Sequence, residues 1–168
     1  MTRGKKIALA AIFAAASLIL FIVENLLPPL FIPGAKLGLG NIFVLLAAIV
    51  LGAPYGVAVF LVKILLGSLL TGNISSLLYS FPAGALSIGT EITLILLFSD
   101  KFSLPSISAV GAIIHNIVQN VVFCLITGTW EYISYLPYLA LLGLISGLAV
   151  GFGVWVIIKF TPEKLLRV

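Results

Sequence analysis

Long apolar runs make up most of the chain, and clusters of turn residues separate them. The runs cover about residues 7–27, 41–51, 54–70, 75–98, 106–126 and 132–160. The breaks are Pro28-Pro29, Gly52-Ala53-Pro54, Thr71-Gly72-Asn73, Ser99-Asp100-Lys101 and Gly128 to Glu131, the residue types that end helices and start turns. Roughly 20 apolar residues are needed for a helix to cross a bilayer. The pattern predicts an all-α, polytopic membrane protein, a six-transmembrane-helix bundle forming a single domain over residues 1–168. One run does not fit a continuous helix. Residues 30–40, LFIPGAKLGLG, are apolar but hold one proline and three glycines. They are predicted as a re-entrant or capping loop between helices one and two, because irregular backbone at membrane depth must be covered by protein or line a cavity. Asn41 then fits as the N-cap of a short second helix.

The polar residues inside the runs are few. In the fifth, His115, Asn116, Gln119 and Asn120 fall at i, i+1, i+4 and i+5, which puts them on one helix face. Polar groups at this depth must face protein or a water-filled cavity. A purely structural hydrogen-bonded helix contact is one reading. Four such residues together, including the only histidine, make a ligand cavity the other. Lys63 falls near the middle of helix three, where it needs a carboxylate, water or an anionic ligand. Glu91 in helix four is its candidate partner. Pro82 and Pro137 are expected to kink helices four and six. Small residues recur four apart at Ala10/Ala14 and Ala11/Ala15 in helix one, and at Gly143, Gly147 and Gly151 in helix six, a spacing that permits close helix approach. For helix one this means either internal packing or docking of a partner.

Composition agrees with the pattern. The chain is 62% hydrophobic and 8% charged, against about 25% charged in soluble domains. The basic start before residue 7 and Ala14-Ala15-Ala16 resemble a signal peptide, but the apolar run continues past them, so a retained first helix is expected. The net charge of +4 reflects the placement of Lys and Arg relative to the membrane, and nucleic acid is not an expected partner. Arg3, Lys5, Lys6, Lys101, Lys159, Lys164 and Arg167 fall on one side of a six-span topology and Lys36 alone on the other. That asymmetry predicts N-in/C-in, in the cell membrane, with a bacterial cytoplasmic membrane as the setting. No inverted repeat is discernible.

Several chemistries lack their residues. There is no Walker motif, no H-E-x-x-H and no G-x-S-x-G, and Asp100 is the only aspartate. Mg²⁺-diphosphate chemistry gathers several carboxylates around the metal, and none are clustered here. The lone Cys124 sits in an apolar run and reads as a small buried hydrophobe. No catalytic residue, metal or cofactor is expected, and the chain is not expected to be an enzyme.

Three motifs occur in order: P-G-A-K-L-G-L-G-N at residues 33–41, K-I-L-L-G-S-L-L at 63–70 and G-A-I-I-H-N-I-V-Q at 111–119. Together they make the chain resemble the Gx transporter family, often labelled heptaprenyl diphosphate synthase component I. That family looks like the substrate-binding S components of energy-coupling factor (ECF) transporters. The resemblance implies a six-helix membrane protein that captures a vitamin-like solute from outside under a loop between helices one and two. It also implies a separate coupling subunit and ATPases as partners, docking on Ala10/Ala14 or Ala11/Ala15, with residues 33–40 as the lid. One departure is Lys63, where arginine is expected in many members; charge is kept and the bidentate fork is lost. The synthase label implies instead a membrane partner of an isoprenoid enzyme, or of a quinone- or flavin-linked electron-transfer pathway.

The residues and the resemblance together predict a solute-binding membrane subunit of a small-molecule transporter. Its ligand is expected to be vitamin- or isoprenoid-like, with an anionic group suiting Lys36 and Lys63. Asn41, His115, Asn116, Gln119 and Asn120 are expected to supply hydrogen bonds, and Tyr79 or Trp130 a stacking surface. The alternative is a non-catalytic membrane partner of a heptaprenyl diphosphate synthase or of an electron-transfer pathway. A third reading is a structural bundle in which Lys63, Glu91 and the stripe are internal glue.

Overall fold

The computed structural model describes residues 1–26 and 37–161. Lys36, the first half of the predicted lid, Lys164 and Arg167 lie outside the described residues. Among the described residues six α-helices form the bundle: α1 (Arg3–Leu26), α2 (Asn41–Val50), α3 (Ala53–Leu70), α4 (Leu77–Phe98), α5 (Leu104–Thr127) and α6 (Leu136–Phe160). Two 3₁₀ turns, Ile74–Ser76 and Trp130–Tyr135, precede α4 and α6. No strand occurs among the described residues. Among the described residues five segments are long and apolar enough to cross a membrane, and α2 is not. At 10 residues α2 is about 15 Å long, half the hydrocarbon thickness of a bilayer.

The helix ends follow local chemistry. Pro54, Pro105 and Pro137 occupy the first turns of α3, α5 and α6, where a missing N–H costs nothing. Pro137 therefore starts α6, which corrects the expected kink. Gly128 ends α5 in the left-handed conformation at φ 72°, its N–H donating to the Cys124 carbonyl.

The second helix also departs from expectation. Its N-cap is Gly40 and no side chain caps it. Asn41 is the first helical residue, and its side-chain oxygen accepts a hydrogen bond from the Lys63 ammonium instead. The chain before it lies against α1. Glu24 accepts hydrogen bonds from the N–H groups of Gly38 at 2.7 Å and Leu39 at 3.2 Å, and the Ser17 hydroxyl donates to the Gly40 carbonyl at 2.6 Å. Ser17 lies about 10 Å along α1 from Glu24, so α2 begins partway down the bundle.

Close helix contact is made where the small residues allow it. A Cβ on Gly143, Gly147 or Gly151 would meet the α5 backbone, at 2.5 Å from the Ala109 Cα for Gly147 and 2.5 Å from the Pro105 Cα for Gly151. The ladder of glycines in α6 is thus the seam with α5. On α1 the two alanine pairs diverge. Ala14 is buried with Ala10 packed beside it, among Val44, Val59 and Ile64. Ala11 and Ala15 are exposed.

Candidate functional site

Six stretches of chain place polar groups around one inner cavity of about 60 Å³, room for a few waters. Helix α1 gives Glu24, the chain leading into α2 gives Gly38, Gly40 and the first helical residue Asn41, and α3 gives Lys63. Helix α4 contributes Ser80 and Glu91, α5 contributes Ser108, His115, Asn116 and Gln119, and α6 contributes Ser146. Lys63, Glu91, Ser108 and Ser146 are all buried. Lys63 and Glu91 face the same cavity and their charges interact. Glu91 is only 6% exposed. It comes close to Gly111, where an added Cβ would sit 2.7 Å from its Cδ. A side chain at position 111 would displace the carboxyl from this place.

Helix α5 turns its polar face in two directions. His115 Nε2 is 2.9 Å from the Gln119 side-chain oxygen, one helical turn away. Asn116 is buried and donates to the Leu139 carbonyl of α6 at 2.9 Å. Asn120 faces a second, outer chamber of about 250 Å³, walled by Tyr79, Phe123, Tyr132 and Leu139. Its side-chain oxygen is 3.9 Å from the Cys124 sulfur. The rings in that wall meet edge to face, Tyr79 with Phe123 and Phe123 with Tyr132, each at 5.5 Å between centroids. Asn116 and Gln119 border both chambers.

Of the residues singled out from sequence, Asn41, Lys63, His115, Asn116 and Gln119 come together at the inner chamber. Tyr79 and Asn120 stand at the outer one, beside Asn116 and Gln119. Trp130 is half exposed, and Tyr132 from the same turn lines the outer chamber instead. Sequence reasoning missed Glu24, Ser80, Ser108, Ser146 and Phe123. Glu24 could have been found, because a carboxylate near the end of an apolar run needs donors. The serines carry no such signal.

The fold and this interior define a multi-spanning helical membrane protein with a polar cavity enclosed by its helices. A family model described as heptaprenyl diphosphate synthase component I matches residues 13–156, and the chain belongs to that family. Component I is a non-catalytic subunit family, in keeping with a chain that carries no aspartate-rich motif. No curated protein and no solved structure matches the chain.

Proposed function

We propose that the chain is a membrane-embedded, solute-binding subunit of a small-molecule transporter, of the kind the ECF S components exemplify. The observation that carries this reading is a cavity lined by the buried Lys63 and Glu91 and by polar groups from all six helices. Uncompensated polar groups are costly at membrane depth, and a polar solute entering the cavity would compensate them. The bundle end carrying Lys6, Lys101 and Lys159 then faces the cytoplasm, N-in/C-in. The solute enters from the opposite end, through the Tyr79–Tyr132 chamber, with Lys36 and the rest of the 33–40 segment as its cover. The exposed Ala11 and Ala15 would receive a coupling subunit served by ATPases, whereas Ala10 and Ala14 belong to the core.

Native mass spectrometry of the protein gently extracted from its own membranes tests this, reading bound mass and attached subunits together. A small-molecule adduct, with a coupling subunit and ATPases, is the expected result. The family description supports a second reading, a membrane partner of a prenyl diphosphate synthase. A synthase or redox subunit attached, with neither ATPase nor solute, would replace the first reading by the second.

A further inference from the structure

At the end of the bundle that carries Lys6, Lys101 and Lys159, a groove of about 570 Å³ lies open beside α6. It shares no lining residue with either chamber of the candidate site. Its lining is apolar and aromatic. Phe152 and Trp155 of α6 stack at 5.5 Å between centroids, and Phe102 comes from the turn between α4 and α5. These three rings remain 41–55% exposed. The hydroxyls of Ser99 and Ser103 also line the groove, and no acidic side chain does.

Two ammonium groups stand over this aromatic rim. Lys159 Nζ is 4.7 Å from the Trp155 ring centroid. Lys101 Nζ is 5.8 Å from the ring of Phe98, which meets Phe102 edge to face at 6.3 Å. A ring face within about 6 Å attracts a cation, so both ammoniums are held beside the groove. Phe152 lies about 10 Å along α6 from Lys159, so the apolar lining runs from the charged rim toward the middle of the bundle. Among the described residues this end holds Arg3, Lys5, Lys6, Lys101 and Lys159 against Asp100. The sequence after Thr161 contains Glu163, Lys164 and Arg167, and does not reverse the sign.

We infer that the groove is a binding site for an anionic phospholipid of the membrane. One acyl chain lies along Trp155 and Phe152, and the headgroup phosphate meets Lys159, with Lys101 and the hydroxyls of Ser99 and Ser103 at the rim. The inference needs only that the bundle spans a membrane, and it stands apart from the choice of solute. The groove's volume falls within the range of small-molecule sites, about 300–1,000 Å³. Lysines at this depth attract anionic headgroups. A zwitterionic lipid brings the same chains and phosphate, but its own amine cancels the attraction. A neighbouring transmembrane helix would need an acidic residue at this one depth, where an anionic lipid carries its phosphate as a matter of course.

The test uses brominated acyl chains, which quench tryptophan on contact. The chain has two tryptophans, Trp130 before α6 and Trp155 near its end, so full-length protein with Trp130→Phe reports from the groove alone. It is reconstituted in phosphatidylcholine vesicles holding a minor fraction of brominated phosphatidylglycerol or of brominated phosphatidylcholine. Phosphatidylglycerol is expected to quench Trp155 as if enriched about tenfold over phosphatidylcholine, the preference two lysines near a membrane surface give. The double variant Lys101→Met/Lys159→Met removes the enrichment. Both lysines are exposed, so its melting stays near that of the parent. Lys6→Met keeps the enrichment, because that cation stands over Tyr55 on α3 instead. High salt reproduces the loss in the unsubstituted lysine background by screening, which keeps the test decisive should the double variant fail to fold. Added inorganic phosphate changes nothing. Equal quenching by the two lipids, or enrichment that survives both the double variant and salt, would overturn the inference. So would an equal loss in Lys6→Met, or displacement by inorganic phosphate, which would mark an anion site with no use for the groove. Absence of quenching by either lipid, the mark of a groove covered by protein, would overturn it too.

Discussion

Replacing Gly147 by alanine tests the seam between α5 and α6 most directly. The new Cβ would stand 2.5 Å from the Ala109 Cα, 2.7 Å from the Ser108 carbonyl oxygen and 2.9 Å from the Ala109 nitrogen. Carbon atoms settle at about 3.5–4.0 Å, so the two helices must part by about 1 Å. All three obstacles are backbone atoms, which no rotamer change can move. Overpacking of this kind costs about 1–3 kcal/mol. Two controls separate the clash from the loss of glycine itself. An added Cβ meets nothing within 4 Å at Gly89, and at Gly153 its nearest neighbour is the Ile42 Cδ1 at 3.5 Å. Alanine at either control position is expected to be neutral or to stabilise by up to about 1 kcal/mol through helix propensity. Thermal unfolding of the purified proteins in one detergent gives the comparison. Gly147→Ala and Gly151→Ala should melt clearly below the parent, with Gly89→Ala and Gly153→Ala at or above it. Equal melting of Gly147→Ala and Gly89→Ala would refute the close α5–α6 contact. Gly147 also borders the inner chamber between Ser146 and Ser108, so parting the helices should lower ligand retention as well.

Three further outcomes follow from the site. Lys63→Met should destabilise the protein by about 3–5 kcal/mol, because it leaves Glu91 buried without its counter-charge; the double variant Lys63→Met/Glu91→Leu should recover most of that loss in the same melting assay, and a double variant no better than the single would show that the two charges are not coupled. Glu24→Gln should loosen the chain before α2, since hydrogen bonds to a charged group contribute about 1.5–3 kcal/mol; hydrogen exchange at the Gly38 and Leu39 amides should rise, and unchanged exchange would rule out the clasp. His115→Ala should insert and melt like the parent while weakening solute binding, since it removes the partner that orients Gln119; unchanged affinity for the bound solute would remove His115 from the site.

The helices were legible because each run is long, apolar and bounded by turn residues, and because prolines fell where helices start. The α6 glycines were legible as a seam for the same reason, a regular spacing of four. Asn41 shows where such reading fails. Its position before an apolar run suits a cap, but tertiary contact with Lys63, 22 residues on, claims its side chain. Periodicity put His115, Asn116, Gln119 and Asn120 on one face and could not show that the face looks into two chambers. The division depends on how α4 and α6 stand on either side of α5. The serines of the inner chamber were invisible because a hydroxyl in an apolar helix more often bonds its own backbone, as Ser80 does with the Ser76 carbonyl.

The break before α2 and the polar chamber have a common physical origin. A chain that re-enters partway down a bundle exposes backbone N–H and C=O groups that no helix ladder satisfies, and in a bilayer these must find partners inside the protein. Here α1 supplies them: Glu24 takes the Gly38 and Leu39 amides and Ser17 reaches the Gly40 carbonyl. Ser17 sits well inside an otherwise apolar helix and Glu24 near its end, and Asn41 extends the line to Lys63 on the other side. Lys63 in turn sets its charge opposite Glu91, and the cavity opens between them. A second helix of full length would have needed none of these groups. The short helix thus places backbone, carboxyl, amide and ammonium at one depth, and the stripe on α5 completes the ring.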